Sequence, residues 1–73
     1  MHPSILQVNM TQGGNVQIFL TNMLGQTVMN IDKGFVTAGN QQFTIDASRL
    51  NAGIYFATIQ VNGEKYTRKV VID

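Results

Sequence analysis

The dipeptide Asn62-Gly63, set between two stretches of alternating apolar and polar residues, is the feature that most constrains the fold of this chain. Asn-Gly is typical of a two-residue type I′ turn, because both central residues of that turn need a positive φ. Such a turn fixes the register of the two flanking strands. It pairs Val61 with Glu64, and every further pair follows by counting outwards. The sequence therefore predicts a β-hairpin over residues 54–71.

The two faces of the predicted hairpin differ in polarity. One face is mostly apolar and is expected to line the core, with Arg68 pointing inward or lying at an edge: Tyr55, Ala57, Ile59, Val61, Tyr66 and Val70. The other face is mostly polar and is expected to face water. Its exceptions are Ile54, Phe56 and Val71. This apolar stripe is either shielded by a lysine stem or kept for a partner.

The same period of two runs through most of the remaining chain, interrupted by glycine and asparagine. It predicts short strands over residues 4–10, 16–21, 27–31 and 41–45, with breaks at residues 12–15, 22–26, 32–34 and 38–40. In the segment 46–50, Asp46 is expected to cap a single helical turn, from which Leu50 closes one end of the core. The pattern indicates an all-β chain: a small Ig-like antiparallel β-sandwich of about six or seven strands, forming one domain.

Composition and charge exclude several classes of function. Five basic and four acidic residues give a net charge of +1, which argues against nucleic-acid binding through a basic face. The chain has no cysteine, so disulfides and cysteine-based zinc sites are excluded. No apolar run approaches the roughly 20 residues of a membrane span, and no signal peptide follows Met1, so membrane insertion is not expected.

The residues that carry chemistry are few and scattered. His2 is the single histidine, and no partner that could position it lies nearby in sequence, so neither Ser4 nor Ser48 has a base to activate it. Asp32 and Glu64 lie beside predicted turns, where solvated acids are ordinary. We therefore expect no enzyme, and no catalytic, cofactor-binding or metal-binding residues.

The basic residues near the end of the chain allow two interpretations. Lys65, Arg68 and Lys69 form a cluster on the last predicted strand. Charges on an edge strand deter unwanted strand addition, and this is the favoured interpretation. Docking of a partner is the alternative.

Residues 44–56, TIDASRLNAGIYF, resemble the D-x-S-x-L-x-A-G-I-Y signature of type A C-terminal sorting domains of the type IX (Por) secretion system. Such domains are found on proteins exported by Bacteroidetes. The Asn-Gly turn and the tail over residues 67–71 match as well, and residues 16–28 resemble the family's V-x-I-x-D-x-x-G-R-x-V hairpin. The resemblance covers about residues 16–72.

The chain departs from the family pattern at three places. Gln26 stands where arginine is common, and only Pro3 remains of a Pro-Asn-Pro-like opening. The last residue is Asp73, where many members end in lysine or an apolar residue. We expect residues 1–73 to be a sorting domain taken from a larger secreted protein, with residues 1–3 as linker or cloning remnant.

The resemblance implies a recognition signal. Such a domain directs a covalently linked upstream cargo from the periplasm through the outer-membrane translocon to the cell surface or the medium, and a sortase-like peptidase then removes it. A terminal hairpin with an exposed edge can be docked by strand addition. The residues predicted for translocon recognition are Gly53, Tyr55, Asn62, Gly63, Thr67, Lys69, Val70 and Val71. The glycines and the asparagine would shape the hairpin, while Lys69 and the terminal strand would be read.

Two other functions remain open from the sequence. One is a structural or adhesive Ig-like module, like the sandwich domains of flagellar hook-capping proteins. The other is a carbohydrate-binding module of a secreted hydrolase, which would need an exposed aromatic platform or a calcium site. The oligomeric state is not predicted.

Overall fold

The computed structural model describes residues 4–73, and within them the chain forms six β-strands and no helix. The strands are β1 (Ser4–Met10), β2 (Gly14–Thr21), β3 (Thr27–Val36), β4 (Gly39–Ile45), β5 (Gly53–Val61) and β6 (Glu64–Ile72). The predicted linker over residues 1–3, with His2, lies outside the described residues.

The strands form two antiparallel sheets that pack together as a sandwich. One sheet pairs β1 with β4, and the other has the order β3-β2-β5-β6. In chain order these six strands correspond to strands B, C, C′, E, F and G of an Ig-type sandwich. The predicted all-β, Ig-like fold is confirmed.

The core lies between the inner faces of the two sheets, and strict alternation in β2 and β5 supplies its centre. The β1–β4 sheet contributes Leu6, Val8, Met10, Phe43 and Ile45, and the larger sheet contributes Val16, Ile18, Leu20, Tyr55, Ala57, Ile59, Val61, Val70 and Ile72. Burying one such aliphatic side chain contributes about 1.5–3 kcal/mol. In a chain this short, these residues provide most of the driving force for folding.

The C-terminal hairpin has the predicted register. Val61 is opposite Glu64 and Ile54 is opposite Val71, with every intermediate pair in step. Asn62 and Gly63 have φ values of 52° and 79°, as a type I′ turn requires. The predicted core face is confirmed, with Tyr66 half-buried, and Arg68 is exposed at the edge of the sheet.

The predicted break at residues 32–34 is wrong, because β3 continues through it. The register of β3 against β2 shifts here: Gly34 is opposite Val16, but Asp32 is opposite Gln17. The extra residue forms a β-bulge, in which Gly34 has a φ of 66° and its N–H donates to Asp32 Oδ1 at 2.9 Å. Likewise β4 begins at Gly39, inside the predicted break at residues 38–40, because Gly39 pairs with Met10.

The segment between β4 and β5 is a hydrogen-bonded turn and contains no helix. The Ser48 N–H donates to Asp46 Oδ1 at 3.0 Å, and the Leu50 N–H donates to the Ala47 carbonyl at 3.0 Å. Asp46 caps this turn, but the predicted helical turn is not formed; Leu50 is half-buried and packs against the core. Ala47, which is buried here, is a core residue that the sequence pattern did not indicate.

Candidate recognition surface of the terminal hairpin

Tyr55 fixes the corner at which the chain crosses from one sheet to the other. Its ring is buried near the start of β5, and its hydroxyl donates to the Asn51 carbonyl at 2.7 Å. Two residues further on, Ala57 is fully buried at the sheet centre. This is the arrangement of the tyrosine corner of Ig-type sandwiches. Tyr55 thus holds the start of the hairpin, where Gly53 lies opposite Ile72, and the Tyr55 ring is not available to a partner.

Asn62 ties the tip of the hairpin to the turn between β1 and β2. Its Nδ2 donates to the Gly13 carbonyl at 3.1 Å. A Cβ atom added to Gly14 would lie 2.3 Å from Asn62 Oδ1, a distance that real Cβ atoms do not show. Because the Asn62 side chain lies so close to position 14, only a residue without a side chain fits there. The sequence indicated a turn at residues 12–15 but not this contact, which joins positions far apart in the chain.

The outward face of β6 carries three of the predicted recognition residues. Thr67, Lys69 and Val71 are all exposed there, and their partners on β5 are Thr58, Phe56 and Ile54. Phe56 and Thr58 are half-buried, so Lys69 lies opposite a partly shielded aromatic residue in the strand ladder. Val70 alternates to the opposite face and is buried in the core. The structure therefore separates exposed side chains from those that shape the hairpin.

The backbone of β6 is open along one side. β6 is the last strand in the order β3-β2-β5-β6, so its second edge pairs with no strand among the described residues. Lys65, Arg68 and Lys69 are exposed along this edge. Their placement fits edge protection, the favoured interpretation, and it equally fits docking of a partner.

Exposed apolar side chains gather at the end of the sandwich where β6 terminates. Val71 is 58% exposed, and it lines a shallow groove together with Ile5, which is also 58% exposed. Ile54 is opposite Val71 on β5, and Met23 and Leu24 stand out from the nearby turn after β2. The period of two placed Ile54 and Val71 on the outer face. The proximity of Val71 to Ile5 depends on how the two sheets are stacked, which the sequence does not indicate.

Two acids make local hydrogen bonds that shift a pKa. The Tyr66 hydroxyl donates to the Glu64 carboxylate, and this bond raises the pKa of Tyr66. Donation by the backbone and side chain of Ser48 lowers the pKa of Asp46, with a smaller contribution from Arg49.

Residues 4–73 contain no cluster of three or more histidine, cysteine or acidic side chains that could hold a metal ion. Within the same residues no helix is long and apolar enough to cross a membrane.

The fold and the exposed surface together define a class: a small Ig-like β-sandwich that ends in a hairpin with one open edge. Over residues 2–73 the chain matches the family described as "Secretion system C-terminal sorting domain", and it belongs to that family. No curated protein and no solved structure matches the chain. Members of the family are the C-terminal sorting signals of type IX secretion, so the predicted family and the predicted role as a secretion signal are confirmed.

Proposed function

We propose that the type IX machinery recognises this domain through the outward face of β6, and that Thr67, Lys69 and Val71 are the side chains it reads. The family is a signal recognised by that machinery on proteins secreted to the cell surface or beyond it. The observation that carries the proposal is the exposure of these residues on an edge strand. Since their neighbours Phe56 and Ile54 form a half-shielded apolar stripe, the face offers both a cation and apolar area.

The other predicted recognition residues shape the hairpin and thereby hold this face in place. Gly53 and Tyr55 position the start of the hairpin, Asn62 and Gly63 form its turn, and Val70 anchors β6 in the core. Changing them is expected to impair recognition by destabilising the fold. Changing the exposed residues is expected to impair recognition while leaving stability almost unaltered.

We propose further that a cargo protein is linked upstream of the domain, and that a sortase-like peptidase removes the domain after passage through the periplasm and the outer membrane. The family's role as a C-terminal sorting signal supports this route. A carbohydrate-binding role is less well supported, because Tyr55 is buried and Tyr66 is half-buried, so neither offers a flat aromatic platform.

The test is export of a periplasmic reporter carrying this domain at its C-terminus, in a bacterium with the type IX system. Lys69→Glu should reduce the surface or medium fraction by about tenfold, since reversal of a central contact charge costs about 1–2 kcal/mol. Lys33→Glu is the matched control, because Lys33 is an exposed lysine on β3 at the opposite edge of the same sheet. Equal export of both variants would sink the proposal, provided that both melt like the unaltered domain.

A deletion distinguishes the tail from the rest of the domain. Removing the last eight residues takes away most of β6, and the reporter should then stay in the periplasm. A size difference between periplasmic and released reporter, seen on an immunoblot, would reveal removal of the domain. Released reporter that keeps its full size would contradict cleavage.

A further inference from the structure

We infer that the open side of the sandwich, between β6 and β1, accepts an extended acidic peptide strand from the partner that reads the domain. This inference rests on the proposed function, because it names the chemistry of that partner. It concerns the backbone edge of β6 and the side groove next to it, whereas the proposal above concerns the outward face.

Three pockets, together called the groove, lie one after another between β1 and β6 along this side of the molecule. At the end near the C-terminus it lies between Ile5 and Leu6 of β1 and the residues Lys69–Val71 of β6. Further along, a cavity of about 560 Å³ brings Arg68 beside Gln7 and Asn9. At the far end β1 meets Glu64 and Tyr66. The groove therefore follows almost the whole length of β6.

The lining of the groove suits a peptide backbone. Around Arg68 the side chains are mostly amides, including Gln7, Asn9, Asn40 and Gln42. Amide groups both donate and accept hydrogen bonds, and the free edge of β6 offers alternating N–H and C=O groups to an incoming strand.

The charges on β6 determine which kind of peptide strand fits its edge best. Of the chain's five cations, Lys65, Arg68 and Lys69 lie on β6, against one acid, Glu64. Opposite charges on directly paired strand positions stabilise a sheet, and like charges destabilise it. A strand with acidic residues opposite these three positions therefore fits the edge best.

The same charges disfavour a second copy of this chain as the occupant in the register that is centred on Thr67. In a twofold antiparallel pairing of two β6 strands centred on Thr67, Lys65 of each copy would lie opposite Lys69 of the other. Two pairs of like charges would face each other across the new ladder, which is destabilising. Charged residues in this position are the usual protection of an edge against self-association.

The experiment titrates the ¹⁵N-labelled chain with a synthetic peptide as long as β6, built from threonine and valine, with glutamates opposite Lys65, Arg68 and Lys69 in antiparallel register. We expect amide shift changes along β6 and along β1 from Ile5 to Asn9. The same peptide with glutamine for glutamate should bind about tenfold more weakly, since each exposed ion pair adds a modest increment. Equal affinity of the two peptides, or shift changes centred on β3, would overturn the inference.

Single variants of the chain show where the glutamate peptide binds. Arg68→Gln should weaken binding of the glutamate peptide several-fold, and Lys33→Gln, at the opposite edge of the sheet, should leave it unchanged. Because Arg68 is exposed, its variant should melt like the unaltered chain; Lys69→Gln serves as the second variant if it does not. Dimerisation of the chain alone, seen by sedimentation together with β6 shifts, would show that a second copy fills the groove and would overturn the inference.

The peptide titration and the export assay fail independently. If Lys69→Glu blocks export but no peptide binds, the outward face is read and the inference about the groove is wrong. If the glutamate peptide binds but Lys69→Glu is exported normally, the groove accepts acidic strands and the proposed reading of the outward face is wrong.

Discussion

The side-chain amide of Asn62 donates a hydrogen bond to the carbonyl of Gly13, 49 residues earlier in the chain. The bond joins the tip of the C-terminal hairpin to the turn between β1 and β2, at the end of the sandwich opposite to the C-terminus. The Asn62 side chain lies directly against Gly14, which explains why a residue without a side chain occupies position 14. The backbone of Asn62 thus forms the turn of the hairpin, and its side chain holds that turn against the turn between β1 and β2.

Gly14→Ala should destabilise the domain by about 1–3 kcal/mol, because the added methyl group collides with the Asn62 side chain. Asn62→Gly keeps a backbone suited to the turn and removes the colliding atoms. The double variant should therefore be more stable than the sum of the two single changes predicts, with a coupling of at least about 0.5 kcal/mol. Urea unfolding of the four proteins measures this. If the free-energy changes of the two single variants simply add in the double variant, Gly14→Ala does not clash with the Asn62 side chain.

Gly63→Val should cost about 1 kcal/mol or more, because Gly63 has a φ of 79° and a β-branched residue resists that region. Gly63→Asn is the control, since asparagine tolerates a positive φ and should cost less. No other side chain limits the substitution, because a Cβ atom at this position would meet nothing within 4 Å. Thermal melting separates the variants, and a valine variant that melts like the unaltered domain would contradict the turn type.

Tyr55→Phe should destabilise the domain by about 1 kcal/mol, because it leaves the Asn51 carbonyl without its donor at the corner between β4 and β5. In a domain of this size that loss lowers the melting temperature by about 4–8 °C. Tyr66→Phe provides a matched control: its hydroxyl bonds only to the exposed Glu64 carboxylate, so its removal should change stability little. Equal melting of the two variants would argue that the tyrosine corner does not hold the sandwich.

Most of the fold could be predicted because one face of most strands is buried. The alternation of Val16, Ile18 and Leu20 identifies a strand and its inner face, and Asn62-Gly63 fixes the register of the last hairpin by counting. The break predicted at residues 32–34 is wrong for a physical reason. Asp-Lys-Gly with a positive φ at Gly34 is equally compatible with a turn and with a bulge. Only the continued pairing of β3 with β2 decides for the bulge.

The candidate site was less accessible from the sequence. The face of Thr67, Lys69 and Val71 follows from the register, but their assignment to recognition came from the resemblance to a family. The groove beside Arg68 depends on which strands end at the edges and how the sheets are stacked. Neither can be read from a period of two, because alternation assigns residues to faces and does not order the strands.

Stability should fall at acid pH in part through Asp46. Its pKa is lowered below 3.8 chiefly by the Ser48 backbone N–H and then by the Ser48 hydroxyl. A carboxyl whose pKa is lower in the folded chain than in the unfolded chain stabilises the fold above its unfolded pKa. That contribution is lost as the pH falls through the folded pKa. Asp46→Asn should therefore flatten the stability curve below about pH 4, the range set by the usual pKa of aspartate.

Ser48→Ala tests the cause of this shift. It removes the hydroxyl but keeps the backbone N–H that donates to Asp46 Oδ1 at 3.0 Å. The pKa of Asp46, followed by NMR of its carboxyl carbon, should rise only part of the way toward its usual value. A full return in Ser48→Ala would show that the hydroxyl carries the shift, and an unshifted pKa in the unaltered domain would show that the turn is not capped by the ionised carboxylate.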